Sequence, residues 1–189
     1  MNDSLTTLDV GTLPVEFDYW HNKHQSKIGL QNIVFKLEPV IESMMANGVI
    51  ERHESFGFAM ANPTTPLEYT RHWDHPEKLI GFVSYWGPDG KRYAANAVRK
   101  IRAAARTSLD TQTIRLECPD KFRDEVESVE SDGTFAWGDF PYDGAVHVNT
   151  LGRHLLGAVS AYPKEQDPIV ASLILHILGH DMFEADKMP

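Results

Sequence analysis

Nine histidines occur among 189 residues, and at neutral pH an imidazole nitrogen is a ready ligand for zinc, iron or copper. Two groupings have spacing that such chemistry can use. His176 and His180 stand four apart, with Asp181 directly after; on a helix that spacing sets two imidazoles on one face, a pair able to chelate zinc or iron. Against this, Gly179 lies between them and reads as a helix stop, and no acid occupies the general-base position of a zinc-protease helix. A core role is the simpler expectation for His176. His72 and His75 bracket Trp73 and Asp74 in the stretch RHWDHP, where they can ligate a metal, flank a pocket or close a turn at a strand end. The third feature is cationic. From Lys91 to Arg106 there are six cations and no acid, and Arg99, Lys100, Arg102 and Arg106 offer several geometries for gripping an anion such as a phosphate. The simpler reading is that this patch neutralises acidic neighbours, such as the segment from Asp120 to Asp132 or the same segment of another subunit.

Other chemistries lack their signatures. Cys118, the only cysteine, is followed by Pro119 and sits in no catalytic-thiol context, and it can form neither an internal disulfide nor a cysteine zinc cluster. There is no G-x-S-x-G elbow and no glycine pattern of a dinucleotide or phosphate loop. A formal charge of −9 opposes general nucleic-acid binding. The imbalance is sharper outside the cationic stretch, where 12 cations face all 27 acids. No apolar run approaches the roughly 20 residues that cross a bilayer, and the N-terminus is acidic where a secretion signal is basic and then apolar. A cytoplasmic chain with no membrane contact is expected. At 42% hydrophobic and 24% charged residues the composition is globular.

The elements that must position these residues can be read from periodicity. Residues 1–30 form an arm with no sustained period, and residues 31–189 make a single domain. Ile33, Val34, Leu37, Val40, Ile41, Met44 and Met45 make a helical stripe that stops at Asn47 and Gly48. Ser55 to Ala61 and Leu67 to Trp73, joined by the turn-rich Asn62 to Pro66, read as a hairpin, and Leu79 to Trp86 as a further strand. Tyr93 to Leu109 is an amphipathic helix with an alanine-rich face and the cations largely off it. Thr111 to Glu117 alternates like a strand, and Asp120 to Gly133 is acidic helix or loop. Phe135 to Trp137, Ala145 to Val148 and Leu155 to Ala161 read as a meander. Asp167 and Pro168 open a last helix that is apolar all round to Leu178, so that it should be covered by the sheet on one side and another subunit on the other.

This order meets particular residues. GAVSAYPKEQDPIVASLIL, from Gly157 to Leu175, resembles the closing signature of the haem-binding, haem-degrading family of HbpS and GlcG, which is also the fold of the PduO C-terminal domain. The segment FPYDGAVHV, Phe140 to Val148, resembles that family's loop into a strand, and Ala97, Lys100, Ala103 and Ala104 resemble its A-x-x-K-A-x-x-A helix. Two departures stand out: Ala161 and Tyr162 replace the glycine after the strand serine, and Asp143 and Gly144 replace paired glycines. The resemblance implies an α/β (α+β) domain of profilin-like type, an antiparallel sheet of about five strands flanked by helices and assembled into homo-oligomers. It implies haem as cofactor, a planar tetrapyrrole bound with weak oxidative breakdown. His147 or His154 would then face the macrocycle, with Arg99, Lys100 and Arg102 near its propionates. A non-catalytic oligomeric scaffold of the same fold is the alternative. Strand periodicity leaves the face of His147 open.

Overall fold

The computed structural model describes residues 6–9, 39–117, 134–137, 142–163 and 165–187. Most of the expected N-terminal arm, Cys118 and the acidic stretch after it lie outside them. In chain order the elements are β1 (Thr6–Asp9), α1 (residues 39–46), β2 (Phe56–Ala61), α2 (Pro66–His72), α3 (Pro76–Leu79) and β3 (Ile80–Trp86). They continue as α4 (Gly90–Thr107), α5 (Thr111–Glu117), β4 (Thr134–Trp137), β5 (Ala145–Thr150), β6 (Arg153–Ser160) and α6 (Asp167–Asp186). The chain is mixed α/β, with an antiparallel four-stranded sheet ordered β3-β2-β6-β5. Among the described residues this sheet has four strands, and β4 pairs with β1 in a separate two-stranded ladder.

Period-two alternation divides the sheet into two cores. Phe58, Met60, Phe82, Val146, Val148, Leu155 and Val159 face α6 and α1, packing on Ile174, Leu175, Leu178 and Ile41. Ala59, Val83, Ala145, Leu156 and Ala158 face α4, packing on Ala94, Ala97, Val98, Ile101 and Ala105. The alanines of α4 let its backbone settle close to the strands, with Val98 and Ile101 filling the rest of the seam.

Two expected strands are helices. Leu67 to His72 belongs to α2, with Trp73 as its C-cap, so the hairpin partner of β2 is β3, with Phe58 opposite Ser84. The Thr65 hydroxyl accepts from the Glu68 amide and Pro66 occupies the first turn. Thr-Pro-Leu-Glu is a helix-start sequence that competes with the aromatic strand chemistry after it, and the cap wins. Thr111 to Glu117 is α5, burying Thr111 and Ile114 three residues apart; spacing of three outranks the apparent alternation. The last helix also runs past its expected stop, through Gly179 to Asp186. Gly179 serves closeness: a Cβ there would overlap Thr150 Cγ2 and press on Leu155. Only a glycine lets α6 lie on β5 at that point.

A buried ion pair joins the two layers. Lys100 Nζ on α4 donates to Asp167 Oδ2 at 2.8 Å and to the Val159 carbonyl at 2.8 Å. Asp167 Oδ1 accepts the amides of Ala161 and Tyr162 at 3.2 and 2.9 Å. Gly144, at φ +138°, leaves room for the ammonium, since a Cβ would stand 2.8 Å from Lys100 Nζ. The helix around Lys100 and the Gly157–Leu175 stretch thus supply the two ends of a structural clamp. Beside it Arg115 grips the buried Asp143 with two bonds, at 2.7 and 2.9 Å.

Candidate functional site

Antiparallel register brings together two histidines that lie seven residues apart. In the β5–β6 hairpin, His147 pairs with Leu156 and Asn149 with His154. Leu156 belongs to the α4 core, so alternation places His147, Asn149 and His154 on the α4 side. There His147 Nδ1 lies 2.9 Å from His154 Nε2 with ring centroids 5.1 Å apart. His147 Nε2 reaches the Ala104 carbonyl at 3.4 Å, and His154 Nδ1 reaches Asn149 Oδ1 at 2.8 Å. The His147 amide donates to Asp110 Oδ1 at 2.7 Å, tying the strand to the loop that follows α4.

Tyr69 of α2 closes the group. Its ring centroid lies 5.7 Å from that of His154 and 6.3 Å from that of His147, and its hydroxyl donates to the His154 carbonyl at 3.2 Å. Burial pushes its phenol up to about 12, so it stays a hydrogen-bond donor at any physiological pH. At the C-cap of α2, Trp73 meets two guanidiniums of α4, with Arg102 Cζ at 4.8 Å and Arg106 Cζ at 5.2 Å from its ring. Arg102 also reaches Asp74 at 3.4 Å. This α2–α4 seam carries cations stacked on an aromatic face, each such contact contributing about 0.5–2 kcal/mol.

The hydrogen-bond chain fixes what the histidines can do with protons. A carbonyl only accepts, so His147 Nε2 carries hydrogen and a neutral His147 presents a bare Nδ1 that accepts from His154 Nε2–H. His154 Nδ1 is then the one nitrogen whose state is open. With the Asn149 amide turned so that its nitrogen donates, His154 is neutral; with the amide oxygen facing it, His154 carries a proton. The pair can therefore hold one extra proton, and a second would set two N–H groups against each other. Burial lowers the affinity of both rings for protons, and for His147 a charge on His154 adds to that effect.

The remaining residues singled out by sequence fall elsewhere. Lys100 is committed to the interior beside Asp167, away from the α2–α4 seam, which corrects the expectation that it lies off the apolar face. Arg99 is buried on α4 at 1% exposure. His72 lies 3.4 Å from Glu68 and His75 3.5 Å from Glu77, each beside a carboxylate of its own short helix. His176 and His180 are exposed on α6, on the opposite side of the sheet from the histidine pair. Among the described residues no three His, Cys, Asp or Glu side chains converge as a metal site. Tyr69, one of several aromatics that the sequence offers as either pocket lining or core, is turned toward the hairpin by the capping signal that makes α2 a helix.

No protein-family model matches the chain, and no characterised protein or solved structure matches it significantly. Among the described residues no helix is long and apolar enough to cross a membrane.

Proposed function

We propose that this chain binds haem or a related planar tetrapyrrole, with the His147–His154 pair supplying an imidazole and Arg102 and Arg106 meeting its carboxylates. The observation that supports this reading is the pairing of two half-buried imidazoles beside an aromatic ring, with two guanidiniums of α4 stacked on the neighbouring Trp73. Imidazole is a common axial ligand of haem iron, and guanidinium pairs bidentately with carboxylates. All four ring nitrogens of the pair have partners within the protein, so ligation exchanges one hydrogen bond, contributing about 1 kcal/mol net, for a coordination bond. His154 is the more accessible of the two and the natural donor. When bound, the group would supply iron redox chemistry, including the oxidative breakdown of the macrocycle itself; the chain's part is to bind and orient it.

Haemin titration of the purified chain tests this. The expected result is a saturable Soret shift near one equivalent per chain that changes in position and affinity in His154→Ala. A linear, non-saturating response, or spectra identical in the wild type, His147→Ala and His154→Ala, would overturn it. The competing reading is a non-catalytic scaffold assembled from copies of itself, favoured by Ile169, half exposed at 50% on the outer face of α6. That reading expects a large assembly by light scattering and no haemin response.

A further inference from the structure

The outer face of α6 carries a feature independent of the macrocycle proposal. The helix runs unbroken for 20 residues, so the spacing of four between His176 and His180 is a true helical spacing. Ala171, Ile174, Leu175, Leu178 and Met182 turn inward to the sheet, and Gly179 touches β5 at the margin of that stripe. His176 and His180 therefore lie on the outward side, and both are exposed. Residues four apart on a helix have Cβ atoms about 5–6 Å apart, within which two imidazoles can close on one ion at bonds of about 2.0–2.1 Å.

We infer that His176 and His180 form a two-imidazole clamp for a borderline divalent transition-metal ion such as zinc, nickel or copper, with water completing its coordination. Neutral imidazole selects this class over magnesium or calcium, which take oxygen ligands. The surrounding charge favours a cation. Asp181 Oδ1 stands 4.0 Å from His180 Nδ1, and Glu184 lies one further turn along the same ridge, paired with Lys187 at 3.1 Å.

The test is calorimetric titration of the untagged full-length chain with Zn(II) and Ni(II), beside His176→Ala, His180→Ala and His147→Ala. Alanine is the best helix former, so the α6 variants keep their helix. The expected result is one ion per chain in the wild type and in His147→Ala. Each α6 variant should bind on the order of tenfold or more weakly, because the second imidazole no longer acts at the high effective concentration of a tethered ligand. Binding should also raise the wild-type melting temperature, and not that of His176→Ala. Equal affinity in the wild type and both α6 variants, or loss of binding in His147→Ala instead, would overturn the assignment. Neither outcome bears on haemin, which is read at the other side of the sheet.

Discussion

Removing one end of the Lys100–Asp167 pair should unfold much of what holds α4, β6 and α6 together. In Lys100→Met the aliphatic stem survives, but a carboxylate at 5% side-chain exposure keeps only the Ala161 and Tyr162 amides. In Asp167→Asn the acceptor for those amides survives, but an ammonium at 2% exposure keeps the Val159 carbonyl without its counter-charge. Stranding one charge of a buried pair costs about 3–5 kcal/mol. At about 2–4 °C per kcal/mol for a chain of this size, that lowers the melting temperature by roughly 6–20 °C. Burial pushes the Lys100 ammonium down and the Asp167 carboxyl up, and it outweighs the opposing attraction of each partner. Replacing both charges should therefore be milder than the sum of the singles, with a coupling of about 2 kcal/mol in Lys100→Met/Asp167→Asn. Urea unfolding of the four proteins by far-ultraviolet circular dichroism measures all terms. If Lys100→Met costs less than about 1 kcal/mol, or if the double variant equals the sum of the singles, the clamp is not what joins the layers.

Two further perturbations are as direct. Both rings of the histidine pair have proton affinities held below the ordinary 6.5, so the folded state resists protonation. The stability this gives is present above about pH 6.5 and is lost as pH falls through the folded value. The urea midpoint should then drop between pH 7.5 and 5.5 and flatten in His147→Gln/His154→Gln; the same slope in both proteins would exclude the pair as its source. Gly179→Ala would add about 1 kcal/mol to an exposed helix interior, yet the overlap with Thr150 should make it destabilising by about 1–3 kcal/mol. Thr150→Ser, which removes the offending methyl, should recover most of that loss, and a stabilising Gly179→Ala would show that α6 and β5 are not in contact there.

What could be read from residues alone divides by the range of the interaction. Where one face is buried by a long regular element, periodicity sufficed: β2, β3, the alanine face of α4 and the start of the greasy α6 all lie where their patterns put them. Short elements were misread where local chemistry and pattern conflicted. Aromatic residues after Thr65 look like strand, but a satisfied amide and a proline in the first turn decide for helix. Glycine misled for a different reason, since its two uses, ending a helix and admitting a neighbour, leave the same letter in the chain. Only the presence of Thr150 Cγ2 tells them apart at Gly179. Charge misled most. Lys100 shares a helix with five other cations between residues 91 and 106, and nothing local distinguishes it from a solvated neighbour; its meaning comes from Asp167, 67 positions later.

The histidines carry the same lesson into function. His147 and His154 attracted notice as two separate ligands, but their significance is joint, since the register that sets Asn149 opposite His154 also aims one ring at the other. Each nitrogen's role then follows from its neighbour, and the open state resides at His154 Nδ1 alone. A planar ligand docking here would meet a pair already tuned to hold a single proton, so its binding should displace that proton. Haemin affinity should then weaken as pH falls into the range where the pair protonates, in step with the loss of stability and through the same atom. A haemin affinity independent of pH between 7.5 and 5.5, alongside a pH-dependent urea midpoint, would separate the pair's structural role from any part in ligand binding.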